Sequence, residues 1–269
     1  LIDVFSRLVT GIYVGLEGPS WIGAMMALDN MVADKVEFCK VYGIDIAEDE
    51  WPAHHLPEII LADRGEFEGN SPENLMRNLG VFIENTPPYR GDLKGIIERS
   101  FNTLNIKIKH KTPGAIMKEF RQRGDKDYRL DATLTLEEFY KIYIRLVLYH
   151  NTTIIQKYPL EIDMITAGIA PIPSKLWNWG LEYRKGRIKD IDREIFRLNI
   201  LPKAKASISR SGIRFLGRFY SSQKAVKEQW FIKNKIISID IVYDPRKLNY
   251  IYILDDDGKS FEKCYLLDT

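Results

Sequence analysis

Residues 56–65 read LPEIILADRG, an apolar run that ends in an acidic residue, an arginine and a glycine. The run from Leu56 to Ala62 predicts a short buried strand, because strands covered on both faces read as continuous apolar segments. Asp63 then stands at the carboxyl end of a strand, where the loops of α/β folds approach their ligands. An Asp just before Gly65 is also typical of a tight turn, so this stretch alone leaves a catalytic and a turn-forming Asp63 open.

The segments around this strand predict an α/β arrangement. Residues 1–16 are rich in apolar and β-branched residues and favour two adjacent strand segments. Pro19 and Ser20 can start one long helix that runs toward Phe38. The downstream pattern predicts a helix at 71–79, a strand at 81–83, a helix from 92 to 108 and, behind a capping-box pattern at Thr135 and Glu138, a helix through 148. Residues 1–150 therefore read β-β-α-β-α-β-α-α.

The pattern changes after residue 151. Residues 151–172 read as loop, and two short helical segments follow at about 176–181 and 189–198. From residue 203 onward short strands alternate with turns, including one strand over 213–220, which predicts a small all-β barrel or sandwich. We therefore expect three parts: an α/β domain at 1–152, a helical linker at 153–200 and a small β-barrel domain at 201–269.

Charge is distributed unevenly along the 269 residues. Residues 1–100 hold 8 Lys and Arg against 17 Asp and Glu, residues 101–200 hold 18 against 12, and residues 201–269 hold 13 against 8. An acidic first part followed by a basic remainder fits a carboxylate-rich site beside a surface that binds a polyanion. An uneven but merely solvated surface gives the same counts, so charge does not decide between them.

Several classes of site have no signature here. The longest apolar runs fall far short of the roughly 20 residues that cross a bilayer, so no membrane association is expected. The two cysteines, Cys39 and Cys264, are isolated and indicate neither a zinc site nor a disulfide framework. The four histidines form no HExxH or HxxxH pattern, and the adjacent pair His54 and His55 reads as a loop feature rather than a ligand pair.

Glu98 supplies a second candidate carboxylate. It lies at the edge of an apolar helical stripe whose members recur at helical spacing: Leu93, Ile97, Phe101 and Leu104. An ordinary surface ion pair with Lys94 one turn earlier would also account for it. Two-metal phosphoryl transfer needs two or three carboxylates that converge on cations roughly 4 Å apart, and Mg²⁺ needs no His or Cys ligand. Asp63 and Glu98, 35 positions apart with strand, loop and helix between them, can meet that requirement.

At this point the sequence resembles a known family. Residues 61–66 (LADRGE) and 87–101 (PPYRGDLKGIIERSF) look like the second and third acidic motifs of DDE transposases and integrases, and 2–7 (IDVFSR) resembles their second core strand. Residues 127–131 (DYRLD) and 176–180 (LWNWG) are more specific and resemble the TnsB-type transposases of Tn7-like elements. The tail around 243–245 (YDP) resembles the β-barrel of the Mu transposase group.

The resemblance implies an RNase H-like fold and a catalytic triad of two Asp and one Glu. Asp63 and Glu98 match the second and third members and would bind a pair of Mg²⁺ or Mn²⁺ ions. The first member lies, in the family, before the segment at 2–7, so the chain as given is expected to be inactive. Asp3 matches a structural Asp of the family rather than that first member.

The resemblance also implies an activity and partners. The activity is metal-dependent cleavage at the transposon 3′ end followed by strand transfer into target DNA. The implied partners are transposon-end DNA, target DNA, further copies of the chain on DNA, an ATPase regulator and a partner endonuclease, and the expected location is the bacterial cytoplasm, at the nucleoid when DNA is bound. Two alternatives remain open: an RNase H-like nuclease without strand transfer, and a non-catalytic DNA-binding or assembly module.

Basic residues near the carboxylates and on the barrel are the candidate DNA contacts. They bind phosphates without reading sequence, and a solvated surface charge is the alternative for each: Arg64, Arg90, Lys94, Arg99, Lys203 and Lys205. Three more cations, Arg210, Arg214 and Arg218, follow in the barrel segment and could instead keep an exposed strand edge soluble.

Overall fold

The computed structural model divides the chain into two compact units, which are described separately. The first comprises Leu1–Glu66 and Glu84–Asp190, and the second comprises Phe67–Ile83 and Ile191–Thr269. The structure describes the following residues: 1–16, 18, 21–62, 79–85, 95, 99, 102, 106, 109, 112–115, 131–184, 188–232, 237–245, 247–254 and 260–267.

The first eleven residues form a tight turn-back instead of the two predicted strand segments. Ile2 and Val9 make one isolated antiparallel bridge, and the turn between them ends at Arg7, whose φ is 65°. Backbone hydrogen bonds join the two arms of this turn-back on either side of the bridge, and the N–H and carbonyl of Val9 face the opposite edge, where the side chain of Asn151 bonds both. The pairing stays too short for a regular strand ladder.

The predicted long helix is two helices, α1 (Trp21–Val32) and α2 (Lys35–Val41). The break falls where Asp34 acts as N-cap of α2 and its carboxylate accepts a hydrogen bond from the Glu37 backbone N–H at 2.9 Å. A capping Asp in extended conformation cannot continue a helix. Gly11 packs closely against α1, since a Cβ there would lie 2.5 Å from the Ala27 carbonyl oxygen.

The predicted strand at 56–62 is interrupted at Glu58 and forms β1 (Leu56–Pro57) and β2 (Ile59–Ala62). β2 pairs with β3 (Phe82–Asn85), of which Glu84 and Asn85 belong to this unit. β1 instead pairs with β4 (Ile188–Lys189), far along the chain. The strand predicted at 81–83 is thereby confirmed as β3, shifted by a residue or two, whereas the helix predicted at 71–79 lies outside the described residues except for its last position.

Helices complete the first unit. The described positions between 95 and 109 are helical, as predicted. The predicted helix behind Thr135 is α3 (Leu136–Thr152), and both bonds of its capping box are present. The segment at 151–172 was predicted as loop but contains the short α4 (Ile162–Thr166), followed by α5 (Pro173–Tyr183), which starts on a proline. The core packs α3, α5 and the 8–12 segment around Trp51, which is 1% exposed.

The second unit contains a closed six-stranded barrel, which resolves the choice between barrel and sandwich. Its strand order is β10-β7-β6-β5-β8-β9 with antiparallel neighbours throughout. The strands are β5 (Lys203–Ser209), β6 (Gly212–Phe215), β7 (Arg218–Ser221), β8 (Ile237–Asp244), β9 (Lys247–Leu254) and β10 (Phe261–Leu266).

Two details of this unit differ from the sequence expectation. The strand predicted over 213–220 is the hairpin β6–β7, because Leu216 and Gly217 both take positive φ, 47° and 75°, and close a two-residue turn. The helix predicted at 189–198 is α6 (Arg193–Ile200), which starts later because Asp192 is its N-cap. A short helix, α7 (Gln223–Lys227), follows β7.

The barrel interior is apolar and continuous. It is filled by inward side chains that alternate with outward ones along each strand, among them Ile208, Ile213, Tyr220, Ile251 and Cys264. The Tyr220 hydroxyl donates to the Leu248 carbonyl oxygen at 2.9 Å, so the buried phenol is satisfied. The chain is thus a mixed helix–strand unit with a C-terminal barrel, and an RNase H-like arrangement of the first unit stays a prediction.

Candidate functional site

β2 directly precedes the first candidate carboxylate, Asp63, in the sequence. Its side chains alternate, with Ile60 and Ala62 each 7% exposed and Ile59 38% exposed, so the strand is anchored on one face up to its last residue. Asp63 is the next residue in sequence, and it lies outside the described residues together with Arg64. The expectation of an acidic residue directly after a buried strand therefore agrees with the strand boundary, while the position of the carboxylate itself stays a prediction.

Among the residues predicted near the site on the helix after 92, the structure describes Arg99. It is exposed and shares a stripe with Asn102, Ile106 and Lys109, which are also exposed. Residues four and three apart lie on one helix face, so this stripe faces solvent and presents two cations. Three further candidates on this segment, Glu98, Arg90 and Lys94, lie outside the described residues.

Asp3 has a local structural partner. Its Oδ2 accepts hydrogen bonds from the Ser6 backbone N–H and the Ser6 hydroxyl, both at 2.6 Å. Its own backbone N–H donates to the Leu8 carbonyl oxygen at 2.8 Å. The carboxylate thus closes the turn at residues 3–6, which agrees with the structural role that the family resemblance implies for Asp3.

Sequence reasoning missed a buried lysine that holds this region together. Lys35 is 3% exposed, and its ammonium donates to the carbonyl oxygens of Met31, Ala33 and Ala53 at 2.9, 2.9 and 2.5 Å. Two of these carbonyls lie at the end of α1, where helix carbonyls lack partners of their own. The third belongs to the segment that enters β1 and β2. Nothing in the local sequence distinguishes this lysine from a surface cation.

The structure also brings together a group of residues that the sequence did not connect. Among the described residues, His54, His55 and Asp190 form the one cluster of His, Cys, Asp and Glu whose ligand atoms all lie within 4.8 Å of one another. His55 Nε2 lies 3.5 Å from Asp190 Oδ1. Burial lowers the pKa of His55 below its ordinary value, and the neighbouring His54 adds to this effect, so the imidazole is neutral at pH 7. Asp190 stands 135 positions away, which is why spacing alone could not reveal the cluster.

Neither cysteine is a candidate nucleophile. Both thiols are free and buried, and burial raises the pKa of Cys39 and of Cys264 to about 11. A thiol with so high a pKa holds its proton at neutral pH and does not attack.

None of the helices in the described part of the chain has the length and apolar character of a membrane span.

The barrel carries the remaining predicted DNA contacts. Lys203 and Lys205 are exposed on β5, where they alternate with the inward Ala204 and Ala206. Lys205 Nζ pairs with Asp240 Oδ1 across the β5–β8 ladder at 3.0 Å, with the two side chains 73% and 75% exposed. Three exposed arginines follow along the same part of the chain: Arg210, Arg214 and Arg218. These five cations are called the β5–β7 cation set, and Lys205 among them faces the acid Asp240.

Two family models match parts of the chain. Residues 197–261, which cover the second half of α6 and most of the barrel, match the family described as Mu transposase, C-terminal. Residues 1–114, which cover the turn-back, α1, α2 and the strands β1 to β3, match the family described as TnsB C-terminal domain. The two parts of the chain are therefore each similar to one of these families.

One curated relative extends the match over the whole chain. The Escherichia coli protein named Transposon Tn7 transposition protein TnsB is 37% identical over 275 aligned residues, which cover 100% of this chain. The predicted resemblance to TnsB-type transposases is thereby confirmed. The chain spans 39% of that relative's length.

Proposed function

We propose that this chain carries two metal-binding carboxylates, Asp63 and Glu98, and a DNA-binding barrel of a DDE-type transposase. The observation that carries the proposal is similarity to TnsB along the entire chain, joined to the strand boundary at Ala62 that directly precedes Asp63. The substrates are transposon-end DNA and target DNA. The reaction is cleavage at the transposon 3′ end followed by strand transfer.

The donor set fits a hard divalent cation. Carboxylate oxygens are the ligands that Mg²⁺ or Mn²⁺ takes together with water and phosphate oxygens. When bound, such cations stabilise charge on the attacking and leaving oxygens of phosphoryl transfer. The chain contributes a strand whose last residue, Ala62, is buried and directly precedes Asp63 in sequence.

Cations of the chain bind and orient the DNA. Arg99 and Lys109 are exposed helical residues, and Arg99 directly follows Glu98 in sequence, so phosphate contacts by this stripe would align the DNA backbone near Glu98. The β5–β7 cation set would bind a further stretch of backbone on the barrel. The expected self-association on DNA, ATPase regulator and partner endonuclease belong to this proposal, as does a cytoplasmic location.

The test is strand transfer with Mg²⁺ or Mn²⁺ on transposon-end DNA, with this chain in its full-length context. Asp63→Asn and Glu98→Gln should each reduce 3′-end cleavage and strand transfer at least about a hundredfold, the scale of losing a group that stabilises developing charge. Glu58→Gln, a carboxylate between β1 and β2, is the matched control and should keep near-normal rates. Normal strand transfer by either site variant would refute the catalytic assignment.

The same assay separates the two alternatives. Cleavage products without joined strands would indicate an RNase H-like nuclease. DNA binding without either product, in the unsubstituted protein, would indicate the non-catalytic DNA-binding or assembly module, a reading that the β5–β7 cation set favours by itself.

A further inference from the structure

A short ladder between distant segments places two ligand-type residues opposite each other. β1 and β4 pair antiparallel, with Leu56 opposite Lys189 and Pro57 opposite Ile188. Continuing this register by one residue sets His55, which precedes β1, opposite Asp190, which follows β4. The observed separation of 3.5 Å between His55 Nε2 and Asp190 Oδ1 agrees with that register.

His54 completes the group. Its ring stacks on the ring of His55, with centroids 4.0 Å apart and an interplanar angle of 29°. Adjacent residues of an extended segment normally point to opposite sides, so two stacked neighbouring imidazoles mark an irregular backbone just before β1. All three residues offer ligand atoms within 4.8 Å of one another.

The distances suit a tetrahedral cation. Bonds of about 2.0–2.1 Å from Zn²⁺ to imidazole nitrogen and carboxylate oxygen imply ligand atoms roughly 3.3 Å apart at a tetrahedral site. The pair at 3.5 Å is already close to this spacing, and the ligand atom of the exposed His54 lies within 4.8 Å of the other two. Two imidazoles and one carboxylate favour Zn²⁺ over Mg²⁺, which prefers oxygen ligands only.

The two ring nitrogens of His55 are available to a cation. Its Nδ1 is buried without a hydrogen-bond partner in the described part of the chain, and its Nε2 has Asp190 as partner at a distance longer than a normal hydrogen bond. The side chain of His55 is 14% exposed and that of Asp190 is 87% exposed. A cation can therefore enter from solvent on the Asp190 side while Trp177 packs near the His55 ring at 6.2 Å.

We propose that His54, His55 and Asp190 bind a Zn²⁺-type divalent cation, with water as the fourth ligand. The ion would link the segment before β1 to Asp190, the last residue of the first unit. It would stabilise the pairing of β1 with β4, which is only two residue pairs long. The site is separate in sequence from Asp63 and Glu98, so it stands or falls independently of the proposed transposase activity.

The test uses this chain after chelator treatment and titration with Co²⁺ as a coloured substitute for Zn²⁺. The expected result is one equivalent of Co²⁺ with the visible absorption band of tetrahedral coordination, displaced by Zn²⁺ but not by excess Mg²⁺. Zn²⁺ should also raise the melting temperature. Absence of the band, or displacement by Mg²⁺, would overturn the proposal, because an all-oxygen site would then hold the ion.

Variants locate the ion. Asp190→Asn and His54→Ala change exposed side chains and should fold normally, yet each should lower Zn²⁺ affinity at least about tenfold, the lower end of what even an outer-shell partner contributes. Glu182→Gln, an exposed carboxylate on α5, is the matched control, and Asp63→Asn should keep full stoichiometry. Unchanged Zn²⁺ affinity in Asp190→Asn, or loss of binding in Asp63→Asn, would assign the ion to another site and refute this one.

Discussion

Replacing Lys35 by Met should destabilise the first unit strongly. Met keeps most of the buried stem but removes the ammonium that donates to Met31, Ala33 and Ala53. Hydrogen bonds to a charged group contribute about 1.5–3 kcal/mol each, and each buried carbonyl left without a donor costs about 1–3 kcal/mol. The removed ammonium also no longer has to be desolvated, so the three losses do not add, and we expect a net loss of about 3–5 kcal/mol.

The measurement is urea unfolding followed by tryptophan fluorescence, to which Trp51 contributes because its ring lies 5.5 Å from the Lys35 ammonium. With a slope of roughly 2 kcal/mol per molar urea, the midpoint should fall by roughly 2 M. Hydrogen exchange of the amides in 21–62 should localise the loss. Lys40→Met, an exposed lysine on the same helix, is the control and should stay within about 0.5 kcal/mol of the unsubstituted chain. A loss below about 1 kcal/mol in Lys35→Met would refute the view that this ammonium holds the end of α1 to the segment before β1.

Three further predictions rest on other contacts. Asn151→Leu should lower the free energy of unfolding by about 1–3 kcal/mol, since it removes the acceptor of the buried Val9 N–H, while the Val9 carbonyl keeps the Trp51 donor; thermal or urea unfolding would show this, and an unchanged midpoint would contradict it. In metal-free buffer, stability contributed by neutral His55 should be fully present above about pH 6.5 and fall as pH drops through its lowered pKa, so unfolding measured from pH 8 to 5 should be less pH-dependent in His55→Gln. On the barrel, Lys205→Ala should weaken DNA binding and reduce the salt slope by about one unit, whereas Asp240→Asn should strengthen binding; salt titrations with equal slopes in both variants would argue against DNA on this face.

The parts of the fold that the sequence predicted are those set by local chemistry. Thr135 and Glu138 form the predicted capping box, and the short helix predicted at about 176–181 is part of α5. Short strand-like segments that alternate with turns from residue 203 onward were enough to predict a small all-β domain. Each of these signals needs only neighbouring residues, so a single sequence contains it.

The parts that the sequence did not predict depend on distant partners. Asp34 and Lys35 are compatible with a helix interior, and the break there becomes visible only when Asp34 caps α2 and Lys35 reaches Ala53. The cluster of His55 and Asp190 exists because β1 pairs with β4, a contact that no periodicity encodes. The candidate carboxylates Asp63 and Glu98 were reached by their context and by family resemblance, and their geometry stays a prediction.

The segment at residues 9–12 shows why buried polar residues on helices are informative. Its backbone is extended and buried, and backbone N–H and carbonyl groups in that position require partners. Asn151 on α3 bonds both groups of Val9, Trp51 donates to the Val9 carbonyl, and Asn30 on α1 accepts from the Ile12 N–H at 2.9 Å.

Side chains from two helices and a loop thus supply hydrogen bonds that a neighbouring strand would supply in a sheet. Asn151 is fully buried and Asn30 is 6% exposed, although a helical pattern alone assigns asparagine to the solvent face. An asparagine buried on the inner face of a helix requires a hydrogen-bonding partner, and an extended backbone offers two per residue. Buried asparagines on helices therefore indicate where an extended segment with an unpaired edge packs against those helices. Here that segment lies in the same core as Trp51 and Ala53, which precede β1 and β2 in the chain.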